Sequence, residues 1–531
     1  MSELNEVSMQ KQQSRTINSI RNIATSIGGQ FLSTILKFVV RTVFIHTLGK
    51  SYLGINGLFS DILTMLSLTE LGFDSAINFK LYKPLAEKDT KRVRILMKFY
   101  KNAYRLVGSV ILLLGICLIP ALPHLIRDYD SLAARNINAT LIFCLYILKS
   151  VSSYLFFAYR SAIVKADQKK YILDLADFVI TIIDSLAQII VLAVLKNFIA
   201  YTATMIFFCI MRNLVNAVIA AKRYPDVFLP EKESLSKEEI LAMLKDCGAL
   251  FVFKLNGVVA KATDNTVISA FIGLTTVGLY SNYLLFYTTI TSMLDKVYVA
   301  VKASMGNLFA VSDIEKKYSF FQVMNFASVI LFGTAGLGVA ICADELIDVW
   351  VGNDYVIPSC FSVLVGAEVF LHGLTMNLEQ IRNVSGVFRQ MWYRPIISAI
   401  INLVSSIWLV RIIGIHGVII GTILSILLTN IAFDPYIIHK YSFQNYRPVS
   451  EYYLRNLLYL AVLIILGFIN IWLCSRILPS KGWISVILHV IIIGVDVPAA
   501  LVLLFRKSEE CKYLLKTGKG LINRFRKKKR A

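Results

Sequence analysis

The segments Leu48-Gly-Lys-Ser-Tyr-Leu-Gly54 and Ile272-Gly-Leu-Thr-Thr-Val-Gly278 repeat one pattern, two glycines five residues apart, at an offset of 224 residues. Each segment lies between two long apolar stretches, so the pattern predicts a tight turn that joins two helices. Lys37 and Lys261 occupy equivalent positions ahead of the two turns. The repeat therefore predicts two similar halves that begin in the same way.

The rest of the chain is dominated by apolar stretches. Of its 531 residues, 56% are hydrophobic, and the mean hydropathy is +0.64, which favours a membrane protein over a soluble one. Stretches of about 20 apolar residues, the length that crosses ~30 Å of hydrocarbon, recur along the whole chain. We predict an all-α polytopic membrane protein with 14 transmembrane helices, near 19–46, 52–79, 101–125, 137–159, 171–195, 198–221, 246–272, 276–303, 319–342, 358–382, 393–411, 417–439, 453–475 and 483–505.

Basic residues concentrate in alternate links between these helices, which accounts for the net charge of +21 without a nucleic-acid partner. The links on the other side are short and poor in lysine and arginine. The positive-inside rule then predicts both termini in the cytoplasm, which an even number of spans requires, and we expect the cytoplasmic membrane as the location. The basic links contain Lys80, Lys83, Lys88, Lys91, Arg92, Arg94, Arg160, Lys165, Lys169, Lys170, Arg382, Arg389 and Arg394, and one acidic link contains Asp344, Glu345, Asp348 and Asp354.

The repeat and the spans divide the chain into five predicted parts. They are an N-lobe of helices 1–6 (1–222), a linker (223–245), a C-lobe of helices 7–12 (246–440), helices 13–14 (441–505) and a basic tail (506–531). Two six-helix lobes related by a parallel repeat place a substrate site between them. In the linker, Ser236-x-x-Glu239 predicts a capping box that opens a short amphipathic helix. The tail is interpreted as an orientation signal that rests on anionic lipids, or as a regulatory element.

Several other classes of protein are disfavoured. The eight cysteines are scattered, without the spacing of a disulfide framework or a zinc site, and the polar first 20 residues do not indicate a removable signal peptide. The enzyme motifs H-E-x-x-H, G-x-S-x-G and G-x-x-x-x-G-K-[ST] are absent from the sequence. We therefore expect neither an enzyme nor a resident cofactor.

Charged residues within the predicted helices indicate a polar interior. An ionisable side chain at mid-bilayer costs roughly 2.5–3.5 kcal/mol, so it should face a cavity or a partner. Lys37 and Arg41 share one face of helix 1, and Lys254 and Lys261 share the equivalent face of helix 7. If both helices line one cleft, these four cations form a chamber suited to a diphosphate. Lys254 and Arg41 lie nearer the helix ends, where snorkelling to water is the alternative.

Acidic and mixed faces suggest where a coupling cation, H+ or Na+, could act. Asp264 lies beside Lys261 on helix 7, and helix 5 carries Asp177 and Asp184 on one face, as partners for the basic helices or as a cation site. Glu368 and His372 on helix 10 suit a proton relay or a structural hydrogen-bonded pair. On helix 8, Asp295 and Lys296 are interpreted as neutralising neighbouring charges.

Five short segments resemble oligosaccharide flippases of the Wzx type, in the multidrug/oligosaccharidyl-lipid/polysaccharide exporter superfamily. The resemblance covers helices 1–12 and is expected to extend over all 14, and it depends on the order and spacing of the segments together. The segments are Gly54-Ile-Asn-Gly57, Glu70-Leu-Gly72, Leu81-Tyr-Lys-Pro-Leu-Ala-Glu-Lys-Asp89, Ala303-Ser-Met-Gly-Asn-Leu308 and Trp350-Val-Gly352.

The resemblance implies a pair of six-helix lobes around a cationic cavity. Such proteins carry undecaprenyl-diphosphate-linked glycans from the inner to the outer leaflet for capsule, exopolysaccharide or O-antigen synthesis. The basic cavity residues of the family correspond to Lys37, Arg41, Lys254 and Lys261, whereas Asn265 stands at the position equivalent to Arg41 and makes the cavity asymmetric. The expected partners are the lipid-linked glycan, anionic membrane lipids, a polysaccharide polymerase and glycosyltransferases.

Four alternatives stay open at this point. A lipid II flippase for peptidoglycan would need the same diphosphate chemistry. A cation-coupled multidrug exporter would favour acidic and aromatic residues where this chain has lysine and arginine. A membrane glycosyltransferase or polymerase would need larger outer loops, and a scaffold would have no use for matched charges within the bilayer.

Overall fold

The computed structural model describes residues 2–67, 73–127, 129–134, 137–241, 243, 263–387, 389–477 and 482–528. These residues form helices joined by short links, and they contain no β-strand. The main helices are Ser2–Leu66 (α1), Phe73–Glu87 (α2), Thr90–Leu118 (α3), Ala139–Tyr154 (α4), Lys170–Leu195 (α5), Phe198–Arg223 (α6), 263–271 (α7), Leu274–Val311 (α8), Ile314–Val351 (α9), Phe361–Ser385 (α10), Arg394–Ile413 (α11), Ile415–Tyr441 (α12), Val449–Ile477 (α13), Trp483–Leu504 (α14) and Glu509–Lys528 (α15).

The predicted all-α membrane class is confirmed. Among the described residues, 11 helices are long and apolar enough to cross a bilayer. One of the 11, Leu32–Leu66, covers the second half of predicted helix 1 and the first half of predicted helix 2, and its backbone is not helical at Gly49. Predicted helix 8 is present as α8 but is not among the 11, and most of predicted helix 7 lies outside the described residues. The count of 14 is therefore plausible, and the chain is a multi-pass membrane protein.

The chain divides into two compact units, residues 1–278 and 279–531. In the first unit, α1 packs along α5, α5 against α6, and α3 against α4. Aromatic side chains fill the space where α1 meets α6. The ring of Phe44 lies 5.2 Å from that of Tyr201 and 5.9 Å from that of Phe198, in edge-to-face contacts that suit buried aromatic pairs.

In the second unit, α9 and α10 pack closely because glycines face each other. A Cβ atom on Gly366 would lie 2.4 Å from the carbonyl oxygen of Gly336, and one on Gly336 would lie 2.6 Å from that of Gly366. Small residues allow such close approach between membrane helices. On another side, α9 packs against α14 and the tail helix α15, so the basic tail begins as a folded element of this unit.

The two repeated glycine segments form turns, as predicted. Gly49 has φ of 80° and Gly273 has φ of 133°, conformations that side chains other than glycine rarely adopt. Within the first unit these turns also contact each other. A Cβ atom on Gly54 would lie 1.9 Å from the carbonyl oxygen of Leu274, and one on Gly278 would lie 2.5 Å from that of Lys50. The repeat therefore creates a reciprocal contact between glycine and backbone.

Two groups of residues assigned to links lie instead within helices. The helix α3 begins at Thr90, capped by the Asp89 carboxylate that accepts a hydrogen bond from the Arg92 backbone N–H at 2.9 Å. Lys91, Arg92 and Arg94 therefore lie on its first turns. The helix α9 extends to Val351 and includes the acidic residues assigned to the outer link, except Asp354. The Asp89 cap extends α3, and apolar residues between the charges extend α9, beyond the apolar cores from which the two helices were predicted.

Candidate functional site

The four predicted chamber cations divide into two groups. Lys254 and Lys261 lie outside the described residues. On α1, Lys37 is exposed, and Arg41, one turn later, is half-buried. Ile45, one turn further along the same helix, is only 3% exposed. Arg41 interacts electrostatically with Tyr201 of α6. This face of α1 therefore runs from an exposed cation at Lys37 into the interior of the first unit.

The acidic residues of α5 contact α6. The Nε of Arg212 lies 3.7 Å from Oδ1 of Asp177, and the Asn216 side-chain amide donates a hydrogen bond to the same oxygen at 3.0 Å. A second nitrogen of Arg212 donates to the Thr181 hydroxyl at 3.2 Å. Asp177 was predicted to pair with a basic helix or to bind a cation, and its basic partner is Arg212.

Deeper on the same face, Asp184 accepts a hydrogen bond from the Gln188 amide at 2.6 Å. Near it lies Lys149 of α4, whose charge Asp184 stabilises across a longer distance. The Lys149 ammonium contacts the Met205 Sδ at 3.5 Å and lies 5.6 Å from the centre of the Tyr146 ring. No described carboxylate lies within 4 Å of it. Lys149 is therefore a cation at membrane depth whose direct contacts are a sulfur and an aromatic face.

Sequence reasoning missed both Lys149 and Arg212, although a signal was present. Each is the single basic residue of a largely apolar run, Ala139–Tyr154 for Lys149 and residues 198–221 for Arg212. Such residues mark functional or paired positions because an isolated charge in the bilayer is costly. From the sequence we selected helix faces that carry several polar residues, and we therefore passed over single basic residues such as Lys149 and Arg212.

Asn265, the residue of the second repeat that is equivalent to Arg41, lies at the start of α7 and contacts α1. The Asn265 amide donates a hydrogen bond to Oδ2 of Asp61 at 2.6 Å. Asp264, predicted as a charge partner of Lys261, is only 4% exposed. Asn265, at the position equivalent to Arg41, thus contacts α1 through Asp61, and the asymmetry of the cavity stays a prediction.

In the second unit, His372 joins α10 to α8. Its Nε2 lies 3.0 Å from Oδ1 of Asp295, and its Nδ1 lies 3.4 Å from the Tyr287 hydroxyl. Glu368 is buried one turn earlier on α10. Asp295, interpreted above as neutralising a neighbouring charge, thus supplies a carboxylate partner for His372. The His372 ring therefore lies between a carboxylate and a hydroxyl, both on α8.

The same unit contains a buried cluster of three charges, Arg382, Arg394 and Asp434. The Asp434 carboxylate lies 3.2 Å from Nε of Arg394 and 3.9 Å from a terminal nitrogen of Arg382. All three residues are at most 6% exposed. Arg382 and Arg394, counted above with a basic link, lie within α10 and α11 and are buried against one carboxylate. In the part of the chain that the structure describes, no three His, Cys, Asp or Glu side chains gather into a group that could hold a metal ion.

The fold is shared with two kinds of membrane transporter. No family model and no curated protein matches the sequence. Among solved structures, the lipid II flippase MurJ in an inward closed conformation is similar over 91% of this chain and 99% of its own, with a TM-score of 0.59 and 15% identity.

An inward-facing multidrug resistance MATE family transporter of the MOP superfamily is similar over 79% of this chain and 98% of its own, with a TM-score of 0.58 and 12% identity. A point mutant of the Vibrio cholerae MATE transporter VcmN is similar over 81% of this chain and 98% of its own, with a TM-score of 0.54 and 12% identity. This chain therefore has the fold found in MATE transporters and in MurJ.

Proposed function

We propose that this protein is a flippase that moves an undecaprenyl-diphosphate-linked oligosaccharide from the inner to the outer leaflet of the cytoplasmic membrane, for capsule, exopolysaccharide or O-antigen synthesis. Cations at membrane depth hold the diphosphate, the sugars pass through an aqueous cleft, and the lipid tail stays in the bilayer. Two lobes built from a parallel repeat alternate between inward and outward access. The fold shared with MurJ and with MATE transporters supports a transporter of this kind.

The contacts of Lys149 carry the preference for an anionic cargo. Its ammonium has a sulfur and an aromatic ring as direct partners, in a region where an unpaired charge is costly. A phosphate oxygen is a far better partner for an ammonium than either group. Lys37 and Arg41 add two more cations on one face of α1 in the same unit. A cation exporter would instead need carboxylates without a basic partner, and Asp177 pairs with Arg212.

A lipid II flippase is the nearest alternative, because the solved MurJ structure is that of a lipid II flippase and such a cargo carries the same diphosphate. A cation-coupled multidrug exporter is the second alternative, in view of the MATE structures. Comparing the two lipid-linked cargoes on the purified protein separates the first alternative from the proposal. A hydrophobic cation used as a competitor tests the second alternative.

Replacing Lys149 by methionine is expected to reduce transport of the lipid-linked glycan roughly tenfold or more, since a charge-assisted contact to the substrate is lost. Lys149→Arg should retain most of the activity because it keeps the charge. Lys196→Gln, which removes an exposed cation at the end of α5, is the control. Transport is measured in liposomes at matched protein levels. Equal transport by the methionine variant and the control would contradict the role of Lys149.

We propose a proton as the coupling ion, held at the pair formed by His372 and Asp295. His372→Gln keeps a hydrogen-bonding side chain but cannot titrate, so stimulation of transport by a proton gradient should disappear while substrate binding persists. His416→Gln, at a half-buried histidine that contacts the Pro358 carbonyl, is the control. Gradient stimulation is compared in the same liposomes. A variant that melts at a lower temperature yet keeps full stimulation would assign His372 a structural role.

A further inference from the structure

A cavity of about 340 Å³ lies between the first turns of α3 and the linker that follows α6. One wall is a basic face of α3 formed by Arg94, Lys98 and Lys101. The opposite wall is formed by linker residues 227–231, and Tyr159 lies at its side. The alternation of basic links places this end of α3 on the cytoplasmic side. The cavity belongs entirely to the first unit and is separate from the charged residues at membrane depth.

The linker is fixed to α3 by its own backbone. The Lys98 ammonium donates hydrogen bonds to three successive carbonyl oxygens, those of Glu231, Lys232 and Glu233, at 2.9, 3.1 and 3.2 Å. Because an ammonium has three N–H donors, these contacts use all of them. Lys98 therefore shapes the cavity wall and has no donor left for a ligand.

Two ion pairs and a helix cap extend this attachment. Lys91 pairs with Glu233, and Arg92 pairs with Glu239. The Ser236 hydroxyl and the Glu239 carboxylate accept each other's backbone N–H groups at 3.1 and 3.0 Å, which confirms the predicted capping box. The Arg92 guanidinium holds the pKa of Glu239 below its usual value, so the pair is lost only when the pH falls below that lowered pKa. The wall is thus built before any ligand arrives.

The other two cations keep donors for a ligand. Arg94 donates its Nε–H to the Asp226 carbonyl, which leaves its terminal nitrogens. Lys101 is half-buried, and none of the described carboxylates lies within 4 Å of its ammonium. Against three basic side chains, the lining contains one acidic side chain, Glu231, which accepts a hydrogen bond from the Glu233 backbone N–H at 3.2 Å. The cavity therefore has a surplus of positive charge.

We propose that this cavity binds a phosphate group, with Arg94 and Lys101 as its ligands and the linker as its rim. A guanidinium and an ammonium side by side suit phosphate oxygens. Two sources share this chemistry, the headgroup of an anionic lipid in the inner leaflet and a free phosphate compound in the cytoplasm. Basic pockets between membrane helices on the cytoplasmic side are a known way to hold anionic headgroups. A ligand in this cavity would contact α3 and the linker at once.

The test uses the whole purified chain. Each probe is titrated into the protein, and binding is measured as a rise in the melting temperature. The probes are short-chain phosphatidylglycerol, short-chain phosphatidylcholine and inorganic pyrophosphate. Arg94→Gln and Lys101→Gln remove the two proposed ligands. Arg105→Gln is the matched control, because Arg105 lies on the same basic face of α3 and outside the cavity lining. Ligand-free melting temperatures are compared first, so that only folded variants enter the titration.

We expect saturable stabilisation by phosphatidylglycerol, none by phosphatidylcholine, and a roughly fivefold higher apparent Kd for each cavity cation removed. The Arg105→Gln control should bind as the unmodified chain does. Stabilisation by phosphatidylglycerol alone would assign the cavity to a lipid headgroup, and competition by pyrophosphate would assign it to free phosphate compounds as well. An apparent Kd unchanged in both cavity variants, or equal stabilisation by phosphatidylcholine, would overturn the proposal.

Discussion

Replacing Gly54 by alanine is expected to destabilise the protein by about 3 kcal/mol and to abolish transport. The added methyl group would lie 1.9 Å from the carbonyl oxygen of Leu274, and a backbone atom cannot move aside as a flexible side chain would. The two repeated turns would therefore have to separate. Gly278→Ala should act in the same direction through the carbonyl oxygen of Lys50, at 2.5 Å.

Gly338→Ala is the control for these substitutions. Gly338 also lies inside a helix, α9, but no atom lies within 4 Å of the position that its Cβ would take. Alanine there should be neutral or slightly stabilising, since it is the better helix former. Melting temperature and transport are measured for the three variants. If Gly54→Ala behaved as Gly338→Ala does, the contact between the turns would not be a feature of the folded protein.

Replacing Asp434 by asparagine is expected to destabilise the protein by about 3–5 kcal/mol. The change removes the carboxylate that lies 3.2 Å from Arg394 and 3.9 Å from Arg382, so the buried Arg394 loses its ion pair and Arg382 loses the buried one of its two. A buried charge without its partner costs far more than the pair contributes when it is intact. Thermal unfolding of the purified variant measures the loss.

Glu379→Gln is the control for this cluster. Glu379 contacts the same arginine, Arg382, at 3.5 Å, but its side chain is 51% exposed. An exposed ion pair contributes at most about 1 kcal/mol, so this variant should unfold close to the unmodified chain. The difference between the two variants reports burial, because both remove one carboxylate near Arg382. Equal effects from the two substitutions would contradict the assignment of Asp434 as the buried counter-charge.

The membrane class, the helical fold and the two glycine turns could be predicted from sequence. Long apolar runs have few alternatives to a helix in a bilayer, and a glycine between two such runs indicates a turn. Gly49 and Gly273 have the positive φ values that such turns require. The capping box at Ser236 was also predictable, because its two hydrogen bonds depend on residues three positions apart.

Contacts between distant parts of the chain could not be predicted. No local pattern announces that Gly54 meets Leu274, that His372 meets Asp295, or that the linker folds over Lys98. Each depends on which helix faces lie together, and a single sequence does not fix that. The predicted chamber stays a prediction, since Lys254 and Lys261 lie outside the described residues and the roles of Lys37 and Arg41 need a substrate to be tested.

Binding to the purified protein tests the proposed cargo most directly. An undecaprenyl-diphosphate-linked oligosaccharide, lipid II and a hydrophobic cation are titrated against the unmodified chain and against Lys37→Ala and Lys149→Met. We predict that the oligosaccharide lipid binds more tightly than lipid II, that both substitutions weaken it, and that the hydrophobic cation neither binds nor competes. Tight binding of the cation, together with diphosphate-lipid affinity that is unaffected by loss of either lysine, would contradict the proposal.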